Sequence, residues 1–228
     1  MSLVIFDLDN TLIADDSDFL WGQFLVEQGL VDSECYAKAN TKFYEDYKQG
    51  KLDIVEFLHF SLKPLADNDA EQLYRWREQF IAQKIQPLLL DAAQQLIAHH
   101  RQQGDTLLII TATNRFITEP IAHLYGIEHL IATTPEMQHG QFTGQFMGIP
   151  SFQEGKVTLL QQWLHNFPEE SLDNSWFYSD SHNDLPLLSL VTTPVAVDPD
   201  ATLRAYAVEH NWAIISLRED TCPTHHFK

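Results

Sequence analysis

The sequence predicts an α/β protein: a doubly wound, mostly parallel sheet carrying an inserted helical bundle. Three observations predict it. A strand-length apolar run, Leu3 to Phe6, ends abruptly in two carboxylates, Asp7 and Asp9. From Asp16 to Lys84 the periodicity is helical, with no strand-like run to interrupt it. After Pro87 short apolar runs alternate with amphipathic segments, the signature of β-α units in a parallel sheet.

Taken in order, the insert divides into four helices. Ser17 is read as the N-cap of the first, which presents Phe19, Leu20, Phe24 and Leu25 and stops at Gly29. The second runs from Ser33 to Gln49, with Tyr36, Ala39, Phe43 and Tyr47 at near-helical spacing. Asp53 caps the third, Ile54 to Leu62, which stops at Pro64 because proline lacks the donor and clashes with the preceding turn. Asp69 opens the fourth, with Leu73, Trp76, Phe80 and Ile81 on one face. Short joints between four helices favour a bundle. The chain is thus expected to divide into a core, residues 1–14 and 86–228, and an inserted cap, residues 15–85.

The second half reads as a helix from Asp91 to Gln103, a buried strand from Thr106 to Ile110, a helix from Ile117 to Tyr125 and a short strand from Leu130 to Ala132. Gly140 to Gly148 has the spacing of a hairpin or flap. A helix from Glu154 to Asn166, strands at Ser175–Ser179 and Val195–Val197, a helix near Leu203–Glu209 and a strand at Ala213–Ser216 follow. The tail from Thr221 to Lys228 is polar and expected to fray.

Composition narrows the function. A chain of 228 residues with 44% hydrophobic content supports a sizeable core. The net charge of −18, from 32 acidic and 14 basic residues, offers no basic footprint for nucleic acid or an anionic membrane. No apolar run approaches the ~20 residues of a membrane-spanning helix, and the first strand lacks the basic flank of a signal peptide. Cys35 and Cys222 form no C-x-x-C pair and are read as incidental thiols. The eleven histidines form no H-x-x-x-H pair; His182 is the one inside a chemistry-bearing segment. A cytoplasmic protein is expected.

Four segments carry the chemistry. In an open α/β sheet, ligands sit beyond the carboxyl ends of strands, and D-L-D-N-T puts Asp7, Asp9 and Thr11 there. Two acids that close repel, so a cation is expected between them. Thr111 ends the run L-L-I-I-T-A-T-N, where its hydroxyl and nearby amides face an anion. Lys156 opens an amphipathic helix and can neutralise a phosphoryl oxygen. Asp180 and Asp184, in S-D-S-H-N-D-L-P, again end an apolar run; oxygen ligands of this kind suit Mg²⁺. Each segment alone has a bland alternative: a turn, a helix cap or a solvated lysine.

Together and in this order, DLDNTL, Thr111, Lys156 and SDSHNDLP resemble the haloacid dehalogenase superfamily, and the helical insert resembles that of its phosphoserine-phosphatase-like branch. The resemblance implies a Rossmann-like core and a Mg²⁺-dependent phosphomonoesterase. It implies Asp7 as nucleophile and Asp9 as general acid/base. Thr11, Thr111, Ala112 and Lys156 are implied around the phosphoryl group. Asp7, the backbone carbonyl of Asp9, Asp180 and Asp184 are implied at the metal. A second aspartate at Asp9 favours phosphatase over dehalogenase chemistry.

For the substrate, Asp16 occupies the place of the acidic residue that binds the substrate amine in phosphoserine phosphatases. Ser61 stands where their carboxylate-binding arginine belongs, and neighbouring His59 and Lys63 offer no bidentate fork. Asp15, Asp16 and Asp18 would suit a cationic substrate without a carboxylate, and Phe19, Trp21, Phe43 and Tyr47 could pack against it. Asn183 is a further candidate substrate contact. Bacterial members of this branch include histidinol-phosphate phosphatases, so histidinol phosphate is the expected substrate. Phosphoserine, phosphoethanolamine, phosphocholine and transfer to an alcohol instead of water remain alternatives. A phospho-aspartyl signalling domain shares the acids, threonine and lysine, but it carries no helical insert.

Overall fold

The computed structural model describes residues 2–218. The expectations for the tail from Thr221, including Cys222, His225 and His226, lie outside the described residues. Six strands form one parallel sheet: β1 (Leu3–Phe6), β2 (Thr106–Ile110), β3 (His129–Ile131), β6 (Trp176–Ser179), β7 (Thr193–Val197) and β8 (Ala213–Ile215). Their order is β3-β2-β1-β6-β7-β8. Chain direction across the sheet therefore reverses at β1, whose carboxyl end is the crevice where ligands bind in such sheets. A separate antiparallel hairpin, β4 (Thr134–Gln138) and β5 (Gln141–Met147), turns at His139 and Gly140, both at positive φ.

Alternation along the strands builds two apolar layers. Val4, Phe6, Leu107, Ile109, Tyr178 and Val195 face one layer with α1 (Ser17–Glu27), α3 (Ile54–Ala66), α4 (Ala70–Phe80), α5 (Asp91–Gln102) and α6 (Arg115–Leu124). Leu3, Ile5, Leu108, Ile110, Phe177 and Ala196 face the other, with α7 (Glu154–Asn166), α8 (Leu185–Leu188) and α9 (Ala201–Glu209). The insert leaves after Ile13 and returns at Leu89, two residues joined by an antiparallel bridge. Its helices, α2 (Ser33–Lys48) only through Tyr36, share an apolar layer with the sheet: Trp21 packs on Phe24, Phe80 and Phe116.

Three expectations need correction. The N-cap of α1 is Asp16, whose side chain accepts the Phe19 amide, while Ser17 is the first helical residue. Pro64 does not stop α3, which runs on to Ala66. The last turn is held by buried Leu65 and by Asn68 Nδ2 donating to the Pro64 carbonyl at 2.8 Å, so packing outweighs the missing amide. The predicted flap is longer than read, beginning at Thr134. It lies along α3, with His59 against Phe146 and the Ala70 amide donating to Gln141 Oε1.

Candidate active site

The carboxyl ends of β1, β2 and β6 bring the chemistry-bearing residues together. The Asp7 amide continues the ladder by donating to the Tyr178 carbonyl, and the Thr111 amide does the same to Ile131. Asn10 takes φ 56, a left-handed conformation that asparagine tolerates, and turns the chain back under the two acids. Asp9 accepts from the Ser17 amide (2.7 Å), Thr113 Oγ1 (2.8 Å) and Thr111 Oγ1 (3.3 Å). Thr11 Oγ1 donates to Asp180 Oδ1 and accepts from the Asp180 amide, both at 3.1 Å.

Lys156 is the cation of the cluster. Its Nζ lies 2.8 Å from Asp7 Oδ1 and 2.7 Å from Asp184 Oδ1, and only 2% of the residue is exposed. Burial works against its charge, but the carboxylates of Asp184 and Asp7 outweigh that and hold its pKa above the usual lysine value. Asp184 also accepts from Ser179 Oγ at 2.7 Å. Burial pushes Asp7 up to about 7, against the pull of Lys156 and with the repulsion of Asp184 and Asp9. Asp180 is raised well above the usual range by burial and by Asp7 and Asp184. Asp9 is also raised, burial outweighing the bonds from Ser17 and the threonines.

The turn that aims Lys156 is strained and tight. Gln153, the N-cap of α7, has φ 46 and ψ −120, a conformation costing on the order of 1–3 kcal/mol. Its side-chain amide donates to Asn183 Oδ1 at 3.0 Å, tying the turn to the loop after β6. A Cβ at Gly155 would sit 2.0 Å from the Pro150 carbonyl oxygen, so only glycine fits. Gly155→Ala is therefore expected to lower stability by about 3 kcal/mol or more and to displace Lys156. Thermal melting and phosphate release both read this out, and a wild-type melting curve would refute it.

A cavity opens beside Asp7 and Asp9. Thr111, Ala112 and Thr113 line it at the strand ends, and Asp16, Asp18, Phe19, Asn40, Phe43, Tyr44, Tyr47 and Phe57 line it from the helices. No lysine or arginine is among its lining residues. Asp16 Oδ1 caps α1, and burial with neighbouring acids raises this carboxyl well above the usual range. Asp18 is raised to about 7, by burial first and then by the charge of Asp9, and its Oδ2 has no hydrogen-bond partner.

A carboxyl with a folded pKa above its unfolded value of 3.8 contributes stability below that value. The contribution is lost as pH rises to about 7. Asp18→Asn should therefore melt higher than wild type at pH 8, by at most about 4 kcal/mol, with the gain shrinking toward pH 4. Equal melting at both pH values would contradict an unpaired buried charge.

Several sequence-selected residues stand elsewhere than their implied roles suggest. Thr11 is fully buried, its hydroxyl spent on Asp180, and it does not line the cavity. Asn183 does not line it either: its Nδ2 donates to the Tyr47 carbonyl at 3.1 Å, joining this loop to α2. Trp21 is core, whereas Phe19, Phe43 and Tyr47 line the cavity. Asp15 Oδ1 accepts the Asp16 amide, and Ser61 is buried in α3. His182 is held by Asp200 through its ring and its amide.

Sequence reading missed Thr113, although it follows Thr111 at the same i, i+2 spacing that singled out Asp7 and Asp9. It also missed Ser179, Gly155 and Asn40. Of these, Gly155 had a signal in its place beside Lys156.

Among the described residues, no three His, Cys, Asp or Glu side chains are gathered into a metal cage. Mg²⁺ does not need one, since it keeps several waters and takes one or two carboxylates plus a substrate phosphate. The residues present fit it: oxygen donors only, in a site where buried Asp7 and Asp184 bond a single lysine and half-buried Asp9 and Asp180 stand beside them.

Comparison with known proteins identifies the family. The model of the haloacid dehalogenase-like hydrolase family matches residues 4–189. A histidinol-phosphatase from Neisseria meningitidis is 46% identical over 220 residues, covering 95% of this chain and 99% of that protein. A phosphoserine phosphatase from Mycobacterium tuberculosis is 30% identical, over 93% and 70% of the two chains. A crystal structure of a protein of unknown function from Bordetella pertussis superposes with a TM-score of 0.89 at 40% identity, over 95% of this chain and 98% of that one. A substrate-bound phosphoserine phosphatase shares the fold, with a TM-score of 0.72 at 16% identity, over 99% and 97%. The chain belongs to the haloacid dehalogenase-like hydrolase family.

Proposed function

We propose that this haloacid dehalogenase-family phosphatase is a Mg²⁺-dependent phosphomonoesterase whose substrate is histidinol phosphate. We assign the catalytic core to residues 1–14 and 86–228, the cap to residues 15–85, and the protein to the cytoplasm. No helix among the described residues is long and apolar enough to cross a membrane. The observation that carries the substrate is the cavity itself. One end holds Asp7, Asp9 and Thr111; the other is acidic and aromatic, with no basic residue to receive a substrate carboxylate. That wall disfavours phosphoserine and suits a cationic alcohol phosphate. Similarity to the Neisseria histidinol-phosphatase supports the same choice.

In this reading an Asp7 oxygen attacks phosphorus and the ester oxygen leaves, forming an aspartyl-phosphate. Asp9 gives the leaving oxygen its proton, and burial raises its proton affinity in the direction a general acid needs. Asp9 then takes a proton from water, which attacks phosphorus and returns Asp7 to a free carboxylate. Lys156 and Thr111 hold the phosphoryl oxygens, and Asp184 keeps Lys156 charged. Asp7, the Asp9 carbonyl and Asp180 would hold Mg²⁺, with Asp184 supporting them. When bound, the ion offsets the charge that otherwise repels the nucleophile from phosphate.

A phosphate-release screen with Mg²⁺ tests this. Histidinol phosphate is expected to exceed phosphoserine, phosphoethanolamine, phosphocholine and sugar phosphates in kcat/KM. Equal, weak rates on all would discard the substrate while keeping the chemistry. An aspartyl-phosphate that forms but persists would favour a signalling role.

A further inference from the structure

Two carboxylates stand at the start of α1, and only one has structural work. Asp16 Oδ1 accepts the Phe19 amide at 2.8 Å and caps the helix. Asp18 lies in the first turn, is 7% exposed, and its Oδ2 has no partner. A favourable place on the helix dipole does not explain its burial, because an exposed carboxylate gains the same term. Burying an unpaired carboxylate is costly, and nothing in the fold offsets it here. The nearby side chains supply no donor of opposite charge. The same cavity wall carries Phe19, Phe43, Tyr44, Tyr47 and Phe57, and Asn40 Nδ2 is already spent on the Phe19 carbonyl. Asp18 Oδ2 is thus an acceptor without a donor, in a side chain that lines the cavity holding Asp7 among aromatic faces.

We propose that Asp18 is the specificity-determining residue of this enzyme. Its carboxyl group, which lines the cavity, accepts an N–H from the cationic end of the substrate, an imidazolium or an ammonium held between the aromatic walls. Asp16, in the position that the family resemblance would assign to amine recognition, serves as the helix cap. Burial that raises Asp18 also favours a ligand that brings its own positive charge, because the cation supplies what the fold withholds. The inference rests on the phosphatase reading above and assigns which residue reads the part of the substrate that does not react.

The test compares kcat/KM for histidinol phosphate with that for p-nitrophenyl phosphate in wild type, Asp18→Asn and Asp16→Asn, all with Mg²⁺. The preference for histidinol phosphate is expected to fall by about 100-fold or more in Asp18→Asn, mainly through KM, since a site built around a polar contact rejects ligands that leave it unpaired. Asp16→Asn, which can still cap the helix but also lines the cavity, should lower the preference less than Asp18→Asn does. Asp18→Ser gives the same readout if the asparagine variant is not recovered folded. An unchanged preference in both Asp18 variants, or its loss in Asp16→Asn alone, overturns the assignment.

Phosphoethanolamine and an imidazole-propanol phosphate without the amine separate the two donors. The one whose turnover depends on Asp18 carries the recognised group, and dependence of neither overturns the proposal. Absence of phosphate release from any ester by wild type defeats the phosphatase reading instead. Calorimetry with histidinol then decides the inference separately: binding by wild type that vanishes in Asp18→Asn supports it, and equal binding refutes it.

Discussion

Asp7→Asn will abolish phosphate release from every ester while leaving the fold intact. The substitution keeps the shape of the side chain but removes the charged oxygen that, on the proposed mechanism, attacks phosphorus, and losing a nucleophile costs at least ~10⁴-fold in kcat. The fold should tolerate it, because Asp184 still pairs with Lys156 and an amide of the same shape replaces one of two crowded carboxylates. Asp7 is buried beside Asp184 and Asp9, and burial lifts its pKa to about 7. A neutral amide in that place still accepts from Lys156 Nζ, which stands 2.8 Å from Asp7 Oδ1. Circular dichroism and melting should match or exceed wild type. Retained turnover would remove Asp7 from the chemistry, whereas lost turnover with an unfolded variant would show only that the residue supports the fold.

Lys156→Met should have the larger effect on stability. The ammonium bonds Asp7 and Asp184 with all three groups buried, and removing one member of a buried ion pair costs about 3–5 kcal/mol. Methionine fills much of the space, so most of the loss is electrostatic. The double variant Asp184→Asn/Lys156→Met should recover part of the lost stability without recovering activity. Additive losses in that cycle would mean that the three groups are not coupled as the geometry requires.

The strands were legible because their apolar runs end abruptly in polar residues, and the same endings marked Asp7, Asp9, Thr111 and Asp180. Helix starts capped by aspartate were legible too, at Asp53 and Asp69. Asp32 and Asp200, which cap α2 and α9, were not singled out, and Asp16 was passed over for Ser17. Ser17 is equally good cap chemistry, and choosing between adjacent candidates needs the geometry of the turn. Pro64 misled because a local rule yields to tertiary packing when the residues beyond it, here Leu65, are buried.

What no pattern could show is how a single side chain divides its bonds. Thr11 and Asn183 sit inside chemistry-bearing segments, yet one is spent on Asp180 and the other on the Tyr47 carbonyl. Asp16 and Asp18 look alike in a string of acids. Only the hydrogen bonds separate the cap from the unpaired carboxylate.

The position of β1 at the middle of the sheet has a consequence for how the protein folds. Val4 pairs with Leu107 on one side and Trp176 on the other, and Lys156 reaches Asp7 across 149 residues. The helices between β1 and β2 can form from near neighbours, but the central strand waits for partners far along the chain. Loop closure over such distances is slow. Helical content should therefore rise before the sheet closes during refolding, and the capacity to turn over phosphate esters should be among the last properties regained.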